Sequence, residues 1–376
     1  MTMDALARLE AAVDAFRARD FARAVEGLRQ AAAEVPAEAM PWELLANAEA
    51  ATGNDQAAMA ALDRRLALDP RNIAALLLKG QLLEREGDRR AADANYQAAI
   101  NQEAAGGACP PQMRGALGHA RAFIAESRNR YAEYLRDTIG EPPTARVAMA
   151  LDLLAGNREV FLQQPSVFYF PELPQRQFFE PEEFAWLEPM LAALPAMQAE
   201  LEAVEAEKGG FAPYVVAQPN RPLPNNRLLD DPAWSAFWFW RQGAMVDENA
   251  ARCPATMAAL EHAPMPRIEG RSPVAHWSRL QPGAHIAPHH GMLNTRLICH
   301  IPIRTAPACV LRVGNEVREW RDGVPLIFDD SIEHEARNGG DGVRTVLLFE
   351  IWRPEIAEDE RAALTQLFAT IAAYDG

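Results

Sequence analysis

The sequence has few cysteines, no long apolar run and no leading signal. Its four cysteines are scattered without a C-x-x-C pair, which is not the pattern of a disulfide framework or a structural zinc site. No run of 18 or more apolar residues occurs, so we expect no membrane-spanning helix. The first ten residues lack a basic stretch followed by an apolar one, so we expect no secretory signal. The expected setting is the reducing cytoplasm.

Positive charge is also scarce. The chain has 37 Lys and Arg against 52 Asp and Glu, a net charge of −15. A protein that binds nucleic acid needs a basic surface to neutralise phosphates, so no nucleic-acid partner is expected. The 376 residues are 49% hydrophobic and 24% charged, which is ordinary for a globular protein of two or three domains.

A period of 34 residues runs through the first hundred. It is carried by small residues and helix breakers at matching places, namely Ala24, Ala58 and Ala92, Gly53 and Gly87, and Pro36 and Pro70. A 34-residue helix-turn-helix unit is typical of tetratricopeptide repeats, in which small residues let paired helices approach closely. Arg19 takes the place of the glycine in the first unit, as is common in a terminal repeat. A plain helical bundle is the alternative interpretation.

The pattern divides the chain into three predicted segments. Residues 1–104 form tetratricopeptide-like repeats, 105–164 a helical extension or linker, and 165–376 a β-rich domain in which one amphipathic helix is predicted over 182–208. Strands are predicted at 274–280, 295–303, 310–313, 317–320, 325–328 and 343–352. Many short strands separated by turns such as Pro282-Gly283 favour a jelly roll, or double-stranded β-helix. The predicted fold class is α+β, with N-terminal α-helical repeats followed by that domain.

Histidines cluster in the β-rich region. Six of the eight fall within 59 residues: His276, His285, His289, His290, His300 and His334. Imidazole is a common ligand for iron, copper and zinc, although a buried, hydrogen-bonded histidine is the more frequent outcome for any single one. His289 ends a strand-like segment and His334 begins another 45 residues later. In a jelly roll that separation can bring both rings to the mouth of the barrel.

An arginine follows the second of these histidines. Arg344 lies ten residues after His334, inside the apolar strand predicted at 343–349. A guanidinium in such a strand needs an anionic partner, because an unpaired buried charge is very costly. A dicarboxylic cosubstrate held by two hydrogen bonds is one candidate, and a salt bridge to a protein carboxylate is the other. A serine hydrolase is excluded because the chain has no G-x-S-x-G motif.

Two long motifs carry a specific resemblance. The first reads Ser278-x-x-x-Pro282-Gly283-x-His285-Ile286-x-Pro288-His289-x-Gly291-x-x-Asn294-x-Arg296-Leu297-x-x-His300, and the second reads Phe328-Asp329-Asp330-Ser331-Ile332-Glu333-His334-Glu335. Together they resemble the aspartyl/asparaginyl β-hydroxylase family of iron(II)- and 2-oxoglutarate-dependent dioxygenases. The resemblance covers roughly residues 165–356. It implies a double-stranded β-helix, which in this family often follows helical repeats.

The resemblance implies a role for particular residues when it is carried over position by position. The iron(II) ligands would be His289 and His334. Arg344 and Ser278 would bind the distal carboxylate of 2-oxoglutarate, and His300 would lie near its metal-chelating end. Residues lining the substrate pocket would be Arg296 and Trp234, and His290 would be a surface or supporting residue.

The third metal ligand is a departure from the usual oxygenase pattern. Most such enzymes carry a carboxylate two residues after the first histidine. Here that position is Gly291, and the family resembled is one that lacks this acid. Asp330 is a less favoured candidate for a third ligand, and a turn residue before His334 is the preferred interpretation.

The expected function is hydroxylation of an Asp- or Asn-type side chain of a protein or peptide, with 2-oxoglutarate and O₂ as cosubstrates. The helical repeats would offer a concave surface to that partner. Ile298 stands where animal members of the family resembled carry a second arginine. The change removes a donor for a substrate carboxylate, so an aspartate substrate does not follow from the resemblance. A hydroxylase of a lipid acyl chain or small metabolite and a non-catalytic repeat scaffold are the alternatives.

Overall fold

The chain folds into two compact units, Met1–Arg158 and Glu159–Gly376. The structure is a computed structural model, which describes residues 3–207, 209–217, 219–220, 222–223 and 225–375. The first unit is helical and the second is built on antiparallel sheets. This confirms the predicted fold class.

Helices account for the regular structure described in the first unit. They are α1 (Met3–Arg17), α2 (Phe21–Glu34), α3 (Trp42–Ala51), α4 (Asp55–Leu68), α5 (Ile73–Glu86), α6 (Arg89–Ala104), α7 (Arg114–Ile139) and α8 (Ala145–Leu154). The first six pack as three consecutive pairs. Ala24, Ala58 and Ala92 are fully buried where the second helix of each pair meets its neighbours. The predicted helix-turn-helix repeats are confirmed.

The turns between paired helices repeat the same backbone conformation. Arg19, Gly53 and Gly87 have φ of 61°, 81° and 84°. A left-handed residue just after a helix lets its last carbonyls find hydrogen-bond partners, and glycine adopts this conformation without steric cost. Arg19 takes the same conformation, which explains how the terminal repeat keeps its turn without the glycine.

Twelve strands are described in the second unit. They are β1 (Phe178–Phe179), β2 (Ala212–Pro213), β3 (Trp234–Arg241), β4 (Ala244–Met245), β5 (Ala275–Leu280), β6 (His285–His289), β7 (Arg296–Arg304), β8 (Cys309–Val313), β9 (Glu316–Glu319), β10 (Leu326–Phe328), β11 (His334–Asn338) and β12 (Arg344–Trp352). The major sheet has the order β1-β10-β7-β12-β5-β3-β2, with β4 beside β3, and the minor sheet has the order β6-β11-β8-β9. All these pairs are antiparallel.

Apolar side chains fill the space between the two sheets. Leu280 of β5, Phe328 of β10 and Val346 of β12 meet Ile286 of β6 and Leu311 of β8 in one buried cluster. Burying such side chains is the main driving force for joining the sheets. This sandwich is the predicted double-stranded β-helix, and the six predicted strands correspond to β5, β7, β8, β9, β10 and β12.

Helices cover the outer face of the major sheet. They are α9 (Leu187–Ala192), α10 (Leu194–Ala206), α11 (Asp247–Arg252) and α12 (Pro254–Leu260), and α13 (Glu358–Asp375) follows the last strand. Met197 and Leu201 of α10 pack with Phe349 of β12 in a second core. The prediction of a single helix over 182–208 is wrong, because Pro195 cannot supply an interior backbone N–H and instead starts α10. No helix in the described ranges is long and apolar enough to span a membrane.

Candidate active site

Two histidine rings meet at one end of the sandwich. His289 is the last residue of β6, His334 is the first residue of β11, and the two are register partners. Their ring centroids are 4.1 Å apart. The Nδ1 atom of each ring faces a carbonyl oxygen two residues earlier, Ala287 O at 2.8 Å and Ile332 O at 3.0 Å. Each Nδ1 therefore carries the proton, and each Nε2 keeps a lone pair for a metal.

The charge state of His334 suits a ligand. Its side chain is buried and packs against Phe328. Burial, followed by the nearby ring of His289, lowers the pKa of His334 to about 3. The ring is therefore neutral over the ordinary pH range, which is the form that binds metals.

A carboxylate lies beside the two histidines. An ideal Cβ built on Gly291 would collide with the carboxyl group of Asp330, and Gly291 N donates to Asp330 O at 2.6 Å. Burial raises the pKa of Asp330 to about 6, although the charge of Arg296 opposes this shift. Across the described ranges, no group of three or more His, Cys, Asp or Glu residues is placed to hold a metal ion.

The guanidinium of Arg344 is buried without a carboxylate. Its hydrogen bonds run from Nη1 to Ser278 O at 3.2 Å and to Ser278 Oγ at 3.5 Å, and its Nε has no partner. In the part of the chain that the structure describes, Arg344 forms no ion pair within 4.0 Å. It lies 4.5 Å above the ring of Trp320. Burial lowers the pKa of Arg344 to about 10, so the group is still charged at neutral pH.

The other residues expected to bind 2-oxoglutarate surround this guanidinium. Ser278 accepts a hydrogen bond at Oγ from Nε1 of Trp234, a residue expected to line the substrate pocket, at 3.4 Å. His300 is buried, its ring lies 5.7 Å from that of Trp320, and neither of its nitrogens has a partner. Burial first, and then the charge of Arg344, lowers the pKa of His300 well below its usual value, so it is neutral.

Arg296 is already paired with protein carboxylates. It forms a short ion pair with Glu350 and a 3.3 Å ion pair with Asp330. Burial lowers the pKa of Arg296, but the charges of Asp330 and Glu350 outweigh it and raise the pKa above its ordinary value. Two carboxylates around one guanidinium leave no net positive charge there for a substrate anion. Ile298 is buried in the interior cluster.

Sequence reasoning missed several residues of this interior. Tyr214 stacks on Trp234 with centroids 4.2 Å apart, and the ring of His276 contacts those of Trp238 and Tyr214, at 4.3 and 5.4 Å. His276 is fully buried and neither ring nitrogen has a partner. Strand alternation could have found it, because residues two apart on a strand share a face and Ser278 was already a candidate.

Buried polar atoms without a partner are concentrated here. They are His276 Nδ1 and Nε2, His300 Nδ1 and Nε2, Trp320 Nε1, Asp330 Oδ1 and Arg344 Nε. Most buried polar atoms in proteins are satisfied, and each unsatisfied one costs stability. The N–H groups of Trp320, Arg344 and the neutral rings of His276 and His300 are donors to which a small dicarboxylate would be a suitable acceptor, whereas Asp330 Oδ1 is itself an acceptor.

Comparison with known proteins finds matches for both units of the chain. Residues 192–354 match the family model described as aspartyl/asparaginyl beta-hydroxylase, and residues 39–82 match a tetratricopeptide repeat model. The mouse protein named aspartate beta-hydroxylase domain-containing protein 2 is 31% identical over 217 residues, covering 55% of this chain and 60% of its own. The human protein named aspartyl/asparaginyl beta-hydroxylase is 26% identical over 272 residues, covering 64% of this chain and 34% of its own.

The chain spans less than two thirds of the length of these relatives, 57–60% for the mouse and human domain-containing proteins 2. Among solved structures, the Sgt2 tetratricopeptide domain from Aspergillus fumigatus aligns over 38% of this chain and 87% of its own, with 23% identity and a TM-score of 0.30. A cupin 2 barrel protein from Salinispora arenicola aligns over 41% of this chain and 98% of its own, with 16% identity and a TM-score of 0.23.

Proposed function

We propose that this protein, whose residues 192–354 match the aspartyl/asparaginyl beta-hydroxylase family model, is a member of that family and an iron(II)- and 2-oxoglutarate-dependent dioxygenase. Its substrate would be an Asp- or Asn-type side chain of a protein or peptide. The observation that carries the proposal is the buried Arg344, whose only hydrogen bonds in the described residues go to Ser278.

The donor set fits an iron(II) ion. His289 and His334 would hold it through their Nε2 atoms, because each Nδ1 is engaged by a backbone carbonyl. Imidazole nitrogen suits iron, and two adjacent ligands leave most coordination positions open for cosubstrate and water. The carboxyl group of Asp330 fills the side-chain space of Gly291, the position at which most such oxygenases carry a third acid.

The interior also fits 2-oxoglutarate. Arg344 and Ser278 would bind its distal carboxylate, and the charge pair would offset the cost of burying the guanidinium. His300 is neutral and has both nitrogens free, so it can donate one hydrogen bond to the chelating end without adding charge. The wall of Trp234, Trp320 and Phe328 excludes bulk water, which strengthens each of these electrostatic contacts.

When bound, iron(II) would supply the redox chemistry, in which O₂ oxidises 2-oxoglutarate to succinate and carbon dioxide and its second oxygen atom converts a substrate C–H to C–OH. The chain's own residues bind and orient the reactants. Arg344 fixes the far end of the oxoacid, and the two histidines fix the position of the metal. Orientation of this kind lowers the barrier by making the encounter intramolecular.

The substrate is proposed from the family and from the first unit. Tetratricopeptide-like repeats form surfaces that bind extended chains, which favours a protein or peptide. Arg296 is neutralised by Asp330 and Glu350, and Ile298 offers no charge, so a neutral asparagine-type side chain suits this pocket better than an anionic aspartate.

A binding and turnover experiment tests the proposal. Purified protein would be loaded with iron(II) without oxygen and titrated with 2-oxoglutarate, and succinate would be measured after air is admitted. Peptides carrying Asp or Asn would then be screened by mass spectrometry for the gain of one oxygen atom. Arg344→Met is the matched control. A wild-type protein that neither binds 2-oxoglutarate nor forms succinate would refute the proposed chemistry.

A further inference from the structure

His276 is buried in the same interior as the proposed cosubstrate site, and neither sequence motif nor family resemblance gave it a role. It lies on β5 two residues before Ser278, so the two side chains share the inner face of the strand. In the register of the major sheet, His276 is opposite Leu348 of β12 and Trp238 of β3. It is fully buried.

Among the described residues, the ring of His276 contacts aromatic rings and makes no hydrogen bond. It lies 4.3 Å from the ring of Trp238 and 5.4 Å from that of Tyr214. Both ring nitrogens are buried and without a hydrogen-bond partner. An imidazole with two unsatisfied nitrogens destabilises a folded protein, and phenylalanine would fill the same space at lower cost. A polar ring kept under these conditions indicates a ligand contact.

The register of the sheet places this ring beside the proposed oxoacid site, because His276 of β5 and His300 of β7 are both opposite Leu348 of β12. Tyr214, which contacts the ring of His276, also stacks on Trp234, whose Nε1 donates to Ser278 Oγ. Burial and then the charge of Arg344 lower the pKa of His276 to about 3, so the ring is neutral and has one N–H to donate.

We propose that His276 is a third residue that binds the distal carboxylate of the oxoacid, donating a ring N–H hydrogen bond beside Arg344 and Ser278. This inference rests on the proposed function and adds a determinant of cosubstrate choice. Arg344 supplies the one positive charge that a single carboxylate needs. A neutral donor beside it adds directional selectivity for a carboxylate over a methyl group without burying a second cation.

The test separates the ring from its nitrogens. His276→Phe keeps an aromatic ring in contact with Trp238 and Tyr214 but removes both nitrogens. His276→Asn and His276→Gln place an amide N–H near the positions of Nδ1 and Nε2. His119→Phe is the control, since His119 also contacts aromatic rings but belongs to the first unit.

Affinity is measured with full-length, zinc-loaded protein, which cannot turn over. Two ligands are compared: 2-oxoglutarate and 2-oxopentanoate, which keeps the chelating end but has a methyl group in place of the distal carboxylate. Quenching of tryptophan fluorescence reports binding, because Trp234, Trp238 and Trp320 lie around the site. Thermal unfolding of the ligand-free variants is recorded in parallel.

We expect His276→Phe to weaken 2-oxoglutarate binding about tenfold or more, the usual effect of losing a hydrogen bond to a charged group. It should leave 2-oxopentanoate binding unchanged and leave the ligand-free melting temperature equal or higher. One of the amide variants should restore part of the preference for 2-oxoglutarate.

Other outcomes refute the inference. Equal loss of both ligands together with a lower melting temperature would mean that His276 only supports the fold. Unchanged 2-oxoglutarate affinity in His276→Phe would exclude the contact while leaving the proposed function intact. If wild-type protein fails to bind 2-oxoglutarate, the proposed function fails and this inference with it. If His276→Phe does not fold, the amide variants decide the question through the ratio of their affinities for 2-oxoglutarate and 2-oxopentanoate. Weaker binding of both ligands at the wild-type ratio refutes the contact. A loss of affinity for 2-oxoglutarate alone supports it.

Discussion

The carboxyl group of Asp330 occupies the space into which a side chain at Gly291 would project. The two residues are also joined by a hydrogen bond from Gly291 N to Asp330 O at 2.6 Å. Position 291, two residues after His289, therefore requires a glycine, because a side chain there would collide with Asp330. Most such oxygenases carry a carboxylate two residues after the first histidine. In this protein the carboxylate of Asp330, from the second motif, lies in the space that such a side chain would enter.

This relationship predicts strong coupling between the two positions. Gly291→Ala should lower the free energy of unfolding by about 1–3 kcal/mol, because Asp330 is buried and held by Arg296 and cannot move aside freely. Asp330→Ala should relieve most of that loss in the double variant. Urea unfolding of the four proteins gives the coupling energy. The control is Gly118→Ala in α7, where an added Cβ meets nothing within 4 Å; strictly additive effects at 291 and 330 would contradict the packing explanation.

Asp330 should make stability depend on pH in an unusual direction. The pKa of Asp330 is about 6 in the folded protein, against an ordinary value of 3.8. Its protonated carboxyl group therefore contributes fully to the free energy of unfolding below about pH 4, and this contribution is lost as the pH rises through 6. Asp330→Asn should therefore be more stable than wild type at pH 8 by about 2–3 kcal/mol, with the difference vanishing near pH 4. Urea unfolding at pH 4, 6 and 8 measures this. Asp341→Asn, in the exposed turn before β12, is the control, and a less stable Asp330→Asn at every pH would overturn the prediction.

The two histidines should be needed for metal binding but not for folding. His289→Ala and His334→Ala are each expected to abolish stoichiometric iron(II) binding while the circular dichroism spectrum is unchanged, because half of a two-ligand site does not hold the ion. Metal content after anaerobic loading is the measurement. His290→Ala, at the neighbouring position, should bind normally. Full iron content in both variants would remove the metal assignment.

Two fully buried arginines offer a matched comparison. Arg353 is paired with Asp329 at 2.5 Å, both side chains being fully buried, whereas Arg344 has no ion-pair partner in the described residues. Arg344→Met should weaken 2-oxoglutarate binding a hundredfold or more, from a loss of about 3–5 kcal/mol, and leave iron(II) affinity unchanged. It should also leave the ligand-free protein equally stable or more stable.

Arg353→Met should behave in the opposite way. It leaves the buried Asp329 carboxylate without its cation, which is expected to lower the free energy of unfolding by about 3–5 kcal/mol. Calorimetric titration and urea unfolding of both variants give the two comparisons. Equal 2-oxoglutarate affinity in wild type and Arg344→Met would exclude the role given to Arg344.

The segment just before residue 165 should be needed by the second unit. Gln163 Nε2 donates to Asp329 Oδ2 at 2.7 Å, and Asn294 Nδ2 donates to Gln163 Oε1 at 3.0 Å. A fragment of residues 159–376 keeps these hydrogen bonds. In a fragment of residues 165–376, Asp329 and Asn294 each lose one hydrogen-bond partner, which is expected to lower the free energy of unfolding by about 1–3 kcal/mol for each residue. The longer fragment should therefore unfold at higher urea concentration, and equal midpoints would contradict this.

The longer fragment also tests what the repeats do. It should bind iron(II) and consume 2-oxoglutarate without substrate at the rate of the full chain, because the site residues all follow residue 230. If the substrate is a protein, removing the repeats should weaken its turnover strongly, since a second linked contact surface is lost. A hydroxylated small molecule would be turned over equally by both forms, which would favour the metabolite alternative.

The sequence predicted those parts of the fold that repeat or alternate. The 34-residue spacing of Ala24, Ala58 and Ala92 needed no tertiary information, and β12 contains the apolar run Val346–Phe349. β3 was not predicted: four of its first five residues are buried, which removes the alternation that marks a half-exposed strand. Pro195 is a local signal for the start of a helix, because proline is favoured in the first turn and disfavoured in a helix interior.

The site was less predictable than the fold. Motif spacing identified His289 and His334, which the structure brings together, and Arg344, which it buries. The pairing of Arg296 with Glu350 depends on two neighbouring strands, and no local pattern reports it. The unsatisfied nitrogens of His276 are likewise a property of packing. The sequence therefore indicates which residues are capable of binding a metal or cosubstrate. The fold is needed to show which of those residues are already paired with other protein groups.

The placement of the strands has a consequence for hydrogen exchange. β12, which carries Arg344, is hydrogen-bonded on both sides by β7 and β5, whereas β6, which ends at His289, has a partner only in β11. Amides of β12 should exchange only when the whole sheet opens, and those of β6 should exchange through small local fluctuations. If His289 binds the ion as proposed, this ligand can dissociate and rebind while the strand that carries Arg344 stays folded, so the metal would exchange without unfolding of the major sheet.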